Sequence, residues 1–216
     1  MKFFPVVVFW HKMVLLLLLC DDKSTNLRRI MKKHIIKPQQ GIILISEPSL
    51  RDFYFRQAIV LLADHNEEGS FGIIINKPIE VQLNDILKEF PEFNAPVYLG
   101  GPVNTDSIFF LHTKPEIEGS LEIIKGLYWG GDIETIREMI NLRKITENDI
   151  RFYVGYAGWE AAQLDREISE KSWILSHTTV SEVIHPNPQT LWRTHLKNMG
   201  KDYALWANFP TDPSFN

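Results

Sequence analysis

One cysteine, Cys20, stands in the whole 216-residue chain. It excludes an internal disulfide and suits a reducing compartment. With no second thiolate and no His-Glu-x-x-His pair among the seven histidines, zinc-ligand spacing is missing and no metal is implied. A nucleophile elbow needs Gly-x-Ser-x-Gly and a Walker loop needs a Gly-Lys-Ser/Thr end; neither is present, and nothing implies a cofactor. No Lys/Arg run is long enough to build a basic patch from contiguous sequence. The chain holds 23 basic and 27 acidic residues; the first thirty residues carry five of the bases and two of the acids, so the remainder stands at 18 and 25, a net of −7. Such a body lacks the footprint of a nucleic-acid binder, and direct DNA binding is not expected.

A long apolar run is missing too. Phe3–Trp10 and Met13–Leu19 are split by His11 and Lys12, and a spanning helix needs roughly 20 mostly apolar residues. Val14–Leu19 before Cys20 has the look of a secretory apolar region with a lipoprotein cysteine, but Leu19 fills the place of the small residue that cleavage needs. The alternative is that translation begins at Met31. Residues 1–30 are therefore read as a non-core extension, either a mis-assigned start or a targeting segment. Only the latter would bring a membrane into play.

What remains, residues 31–216, is ordinary globular sequence with no repeat or low-complexity segment. In the whole chain 44% of residues are hydrophobic and 23% charged, enough for a sizeable core without staples. Short apolar runs at Gly41–Ser46, Gln57–Ala63 and Phe71–Asn76 read as strands, the last two joined as a hairpin by the polar stretch Asp64–Ser70. They are apolar on successive residues, which predicts a sheet covered on both faces. Leu83, Ile86, Leu87 and Phe90 have helical spacing up to Pro91. Strands are expected at Pro96–Gly101, Ser107–His112, Leu121–Ile124 and Gly126–Trp129, then a helix capped by Asp132. Ile150–Tyr156 reads as a strand that turns through Gly155–Gly158 into a helix burying Ala161, Leu164 and Ile168. Trp173–Ser176 is a further strand, and Asn187-Pro188 opens a helix that buries Trp192, Leu196 and Met199 and stops at Gly200. The expected fold is α+β: one domain with a mixed, largely antiparallel sheet covered by helices.

Polar residues at the turns are the candidates for a ligand site. Backbone N–H groups at a Gly155–Gly158 turn would suit an anion, although both glycines also serve tight strand–helix packing. Gln163, Asp165 and Glu167 are the polar members of the following helix. Paired carboxylates can act as acid and base; early-helix acids more often only complement the helix dipole. Two apart on a helix, Asp165 and Glu167 do not face each other and cannot share a proton. Asp64, His65 and Asn66 sit at the hairpin tip, where histidine can serve as base or ligand. Asn76 and Lys77 end the third strand, and Lys77 is placed to meet an anion. No nucleophile, base and orienter assemble, so no catalytic residue is assigned.

Long motifs in order carry a resemblance. SEPSLRDFYFRQAIVLLADHNEEGSFGIIINKP at Ser46–Pro78, LGGPV at Leu99–Val103, FFLHT at Phe109–Thr113, GYAGWEAAQLDREI at Gly155–Ile168 and the terminal ANFPTDPSFN resemble the YqgE/AlgH family of bacterial proteins. LYWGGD at Leu127–Asp132 resembles the form found in Bacteroidetes members. Two departures shorten an acid by one methylene: Asp165 and Asp64 stand where the family usually has glutamate. The resemblance implies a compact cytoplasmic α+β protein. It implies no established activity, and the label of transcriptional regulator that members often carry rests on no DNA-binding motif here. The reading that follows is a non-enzymatic regulatory protein that binds an unidentified protein partner or small ligand. The alternative is an enzyme acting on a phosphorylated or nucleotide-like small molecule.

Overall fold

A computed structural model describes residues 36–50 and 52–209. The expectations for residues 1–30 and for the C-terminal motif beyond Phe209 lie outside them. Apolar runs make the first three strands, β1 (Ile43–Ser46), β2 (Ile59–Asn66) and β3 (Gly69–Ile74). β2 and β3 form the expected hairpin, paired from Val60–Ile74 to Asn66–Gly69 with a register shift between Leu62 and Asp64. The polar residues Asp64–Asn66 are therefore strand, not loop. β4 (Pro78–Gln82) follows, unmarked in sequence because its residues are mostly exposed. α1 (Leu83–Ile86) is a single turn rather than a helix reaching Phe90. Asn84 ends it: its Nδ2 donates to the carbonyls of Phe90 and Pro91 and its Oδ1 accepts from Phe93 N, so the chain folds back early.

β5 (Pro96–Leu99), β6 (Val103–His112), β7 (Leu121–Ile124) and β8 (Leu127–Trp129) come next, β6 running longer than its apolar part. Asp132 caps α2 (Ile133–Asn141) as expected, its carboxylate accepting from Glu134 N and Thr135 N. β9 (Ile150–Glu160) has eleven residues and leads to α3 (Gln163–Ser169) and β10 (Trp173–Ser176). α4 (Val180–Ile184) is held by a capping box between Thr179 and Glu182. α5 (Leu191–Asn198) starts after Pro188 rather than at it, and Gly200 is followed by one more helix, α6 (Lys201–Trp206).

The strands hydrogen-bond in the order β10-β1-β2-β3-β9-β6-β8-β7, with β4 on β5 and β5 on β9. Every pair is antiparallel except β5–β9, so the sheet is mixed and largely antiparallel as expected. β9 organises it. Its first half pairs β5 on one side and β6 on the other; its second half, Ala157–Glu160, exchanges β5 for β3. The exchange falls at Gly155, with φ at +68°. Here Gly100 N donates to Val154 O at 2.8 Å, and a Cβ on Gly155 would lie 2.5 Å from Gly101 O. Glycine is required where two backbones touch, not where a helix begins. The expected strand–turn–helix at Gly155–Gly158 is thus corrected: the strand runs on through both glycines.

Helices and loops cover both faces. On one, Ile43, Leu61, Ile73 and Tyr153 pack with Val183, Trp192 and Leu196 of α4 and α5. On the other, Phe152 and Val97 pack with Leu83, Ile136 and Met139 of α1 and α2. Adjacent residues Phe152 and Tyr153 are each fully buried, one in each core, as alternation along a doubly covered strand demands.

Candidate functional site

Two constellations emerge. The first is the loop between β1 and β2 and the groove it helps to line. Asp52 builds the loop: its Oδ1 accepts from Tyr54 N (2.8 Å) and Phe55 N (3.0 Å), and its carbonyl accepts from Arg56 N. Asn76 closes it. Its Oδ1 accepts from Ile59 N at 2.8 Å and its Nδ2 donates to Gln57 O at 2.9 Å, so its amide stands in for a strand across Gln57–Ile59. That demand for both a donor and an acceptor explains a buried asparagine among apolar strands.

The resulting groove has a volume of about 390 Å³. Its apolar surface comes from Phe53, Pro78, Ile79, Leu99 and Pro188; its polar groups are Arg56, Asn76, Lys77 and Gln189. Phe53 is 72% exposed, an unusual position for that ring. Lys77 is half-buried and donates from Nζ to the Phe53 carbonyl at 2.9 Å. Burial, and then the charge of Arg56, push its amine down to about 8 against a smaller opposing pull from Asp52. Among the described residues neither cation has a carboxylate within ion-pair distance. Two cations and an apolar rim suit a small anion with an apolar part.

The second constellation lies under α3. Glu167 Oε2 accepts from both indoles, Trp159 Nε1 at 2.9 Å and Trp173 Nε1 at 2.7 Å, and Oε1 accepts from Gln163 Nε2 at 2.9 Å. Gln163 Oε1 takes Glu160 N at 2.9 Å. Glu167 is therefore no solvated helix acid; it is a clamp on two buried tryptophans. Trp159 is 7% exposed, a buried anchor of this clamp. Phe55 packs on both indoles, 6.3 Å from Trp159 and 5.5 Å from Trp173 between ring centroids. The clamp thus seats the loop that presents Phe53 and Arg56 to the groove.

The candidate residues named from sequence do not converge. Asn76 and Lys77 border the groove. Asp64, His65 and Asn66 bond among themselves and to the tip: Asp64 Oδ2 to Asn66 Nδ2 and His65 Nδ1 to Ser70 Oγ, at 2.8 and 2.7 Å. His65 at the tip pairs with Ser70, seven residues and about 24 Å before Lys77 at ~3.4 Å per residue. Asp165 is exposed, whereas Glu167 bonds to the indoles. Gly155 serves the strand crossing, and Gly158 is an exposed strand glycine, so neither forms a helix-start anion nest. Asp52, Phe53 and Arg56 escaped notice. Their signal was an aromatic, charged stretch, DFYFR, too short of pattern for a strand and too apolar for a loop. Buried His112 is structural: its Nε2 donates to Gly130 O at 2.9 Å, its Nδ1 accepts from Lys114 N, and burial lowers its pKa. Among the described residues no group of three His, Cys, Asp or Glu is placed to hold a metal, and no helix is long and apolar enough to cross a membrane.

A doubly covered mixed sheet, pivoting on one glycine-bent strand and flanked by the DFYFR loop and the NKP turn, defines a class. Residues 43–204 match the AlgH-like family model, and the chain belongs to that family. It is 42% identical over 194 residues to a UPF0301 protein of Bacteroides thetaiotaomicron and 43% to one of Bacteroides fragilis, covering 89% of this chain and 98% of each relative. A UPF0301 protein of Chlorobaculum tepidum is 38% identical over 183 residues, 84% of this chain and 97% of its own. The solution structure of the AlgH protein from Pseudomonas aeruginosa superposes with a TM-score of 0.63 at 27% identity, covering 80% of this chain and 96% of that one. The crystal structure of a Corynebacterium diphtheriae protein gives 0.69 at 20% identity over 81% and 94%, a likeness of fold.

Proposed function

We propose that the protein is a non-enzymatic, cytoplasmic binder of a small anionic ligand, held in the groove between the Asp52–Gln57 loop and the Asn76–Pro78 turn, with a regulatory role exerted through the liganded state. One observation carries this reading. Arg56 and Lys77 converge on one open groove with no carboxylate paired to either among the described residues, in a chain whose net charge is −4. An unneutralised cation beside Lys77 that lowers the lysine's affinity for protons is a cost to folding. An incoming anion relieves it, and each charge-assisted hydrogen bond is worth about 1.5–3 kcal/mol. The single cysteine favours a reducing compartment.

The test is thermal shift and calorimetry with inorganic phosphate, small carboxylates and sugar phosphates. At least one should raise the melting temperature, and Arg56→Ala should weaken it by roughly 10–100-fold, the value of one such bond. An anion panel that leaves melting unmoved, or one whose effect survives Arg56→Ala and Lys77→Met together, rejects the site.

A further inference from the structure

We propose that Lys77 forms a reversible imine with a small carbonyl compound bearing a carboxylate, whose negative group Arg56 holds in the groove. This rests on the anion-binding reading above and adds a covalent step to it. Four observations support it. Lys77 Nζ is fixed by one hydrogen bond to the Phe53 carbonyl at 2.9 Å, which orients the amine without neutralising it. The nearby carboxylate, Asp52, is occupied by two backbone N–H groups of its own turn and is not ion-paired to Lys77. The amine lines a groove whose other walls include Ile79, Leu99 and Pro188, which gives the apolar part of a carbonyl compound a surface to pack on. Finally, with its pKa pushed down to about 8 by burial and by Arg56, about a tenth of the amine is uncharged and nucleophilic at neutral pH, against less than about a thousandth for an ordinary lysine.

The chemistry balances without an oxidant or reductant. The Nζ lone pair attacks the carbonyl carbon and the carbonyl π pair moves to oxygen, which takes a proton. The carbinolamine then loses water: the second amine proton leaves, the C–O bond breaks and C=N forms. One amine and one carbonyl give one imine and one water. Arg56 supplies the selectivity, because a guanidinium fork matches a carboxylate. Because Arg56 and Lys77 line the same small groove, the ligand must present its acid to one and its carbonyl to the other.

The experiment uses the full chain, glyoxylate as probe and cyanoborohydride to convert any imine to a stable carboxymethyl-lysine, mapped by peptide mass spectrometry. Lys77 should be modified roughly ten-fold faster than any other lysine, with a rate that rises between pH 7 and 9 around a midpoint near 8. The α-amino terminus, which titrates in the same range, is the internal reference. Arg56→Ala should remove the preference of Lys77 for glyoxylate over neutral acetaldehyde. Lys77→Arg should abolish the adduct at that position. Modification spread over surface lysines overturns the proposal. Stabilisation by glyoxylate without a Lys77 adduct overturns the imine and leaves the anion site standing. Equal modification by glyoxylate and acetaldehyde overturns both.

Discussion

A single carboxylate, Glu167, holds two buried indole N–H groups and the side-chain amide of Gln163. Its removal strands two donors in the interior, where hydrogen bonds to a charged group are worth about 1.5–3 kcal/mol each. Glu167→Ala should therefore cost about 2–4 kcal/mol in chemical denaturation. Glu167→Gln, which keeps an acceptor, should cost less, and tryptophan fluorescence should shift in both. Asp165→Ala, at an exposed position, should stay within about 0.5 kcal/mol. Equal losses for both would show that the indole clamp contributes nothing. At Lys77 the sign of the pH effect follows from its lowered pKa. Between about 8 and the ordinary 10.5 the unfolded chain binds the proton that the folded chain has released. Stability therefore rises with pH across this window and is lost as pH falls toward 8. Relative to Lys77→Met, the unmodified protein should gain stability from pH 8 to 10; a parallel pair of curves would mean that the amine is not desolvated.

β9 carries the fold at the scale of elements, because one strand serves both halves of the sheet. Gly155 and Gly158 look alike in the sequence but not in the structure. A Cβ on Gly155 would lie 2.5 and 2.8 Å from the carbonyl oxygens of Gly101 and Val103, at a φ of +68°. On Gly158 the nearest atoms are side-chain carbons at 3.5 and 3.8 Å. Gly155→Ala should thus cost more than about 3 kcal/mol or fail to give soluble protein. Gly158→Ala should stay within about 1 kcal/mol of wild type. Thermal melts of the two decide it; the reverse order would return the anion-turn reading to Gly155–Gly158. The same elements show what local pattern conveys. Apolar runs of strand length mark β1, the inner part of β2, β5 and β10, because a doubly covered sheet buries successive residues. β4 escapes, since only Ile79 and Val81 of it turn partly inward. α1 stops at Ile86, because Asn84 offers its amide to the chain ahead, an interaction with no periodic signal.

For the whole molecule, charge and topology point the same way. Beyond residue 30 acids exceed bases by seven, 25 against 18, so long-range electrostatics repel a polyanion even though two cations meet in one groove. No sequence-specific duplex binding tighter than about micromolar is expected at physiological salt. Gel shifts with genomic fragments over a salt series would reveal a nanomolar complex if one forms. The groove itself is a product of long-range closure. Pro78 and Ile79 belong to β4, Leu99 to β5, Phe53 and Arg56 to the loop before β2, and Pro188–Gln189 to the segment before α5.

Sequence alone determined the family, through long motifs in order, and the class of fold, through doubly apolar strands and capped helices. It also determined the absence of disulfide and zinc-ligand spacing, since these depend on residue identity and local spacing. It singled out Lys77 and Asn76 as well. Only the tertiary structure decided what the candidate polar residues do. Asn76 bonds to backbone seventeen to nineteen residues away. Glu167 turns inward to two indoles because β10 brings Trp173 beside Trp159, and Lys77 loses its ordinary affinity for protons because the fold buries it and, as a smaller effect, brings Arg56 near it from a loop more than twenty residues earlier. A side chain's partner and its desolvation are set by which distant segments the sheet brings together, and neither periodicity nor composition encodes that meeting.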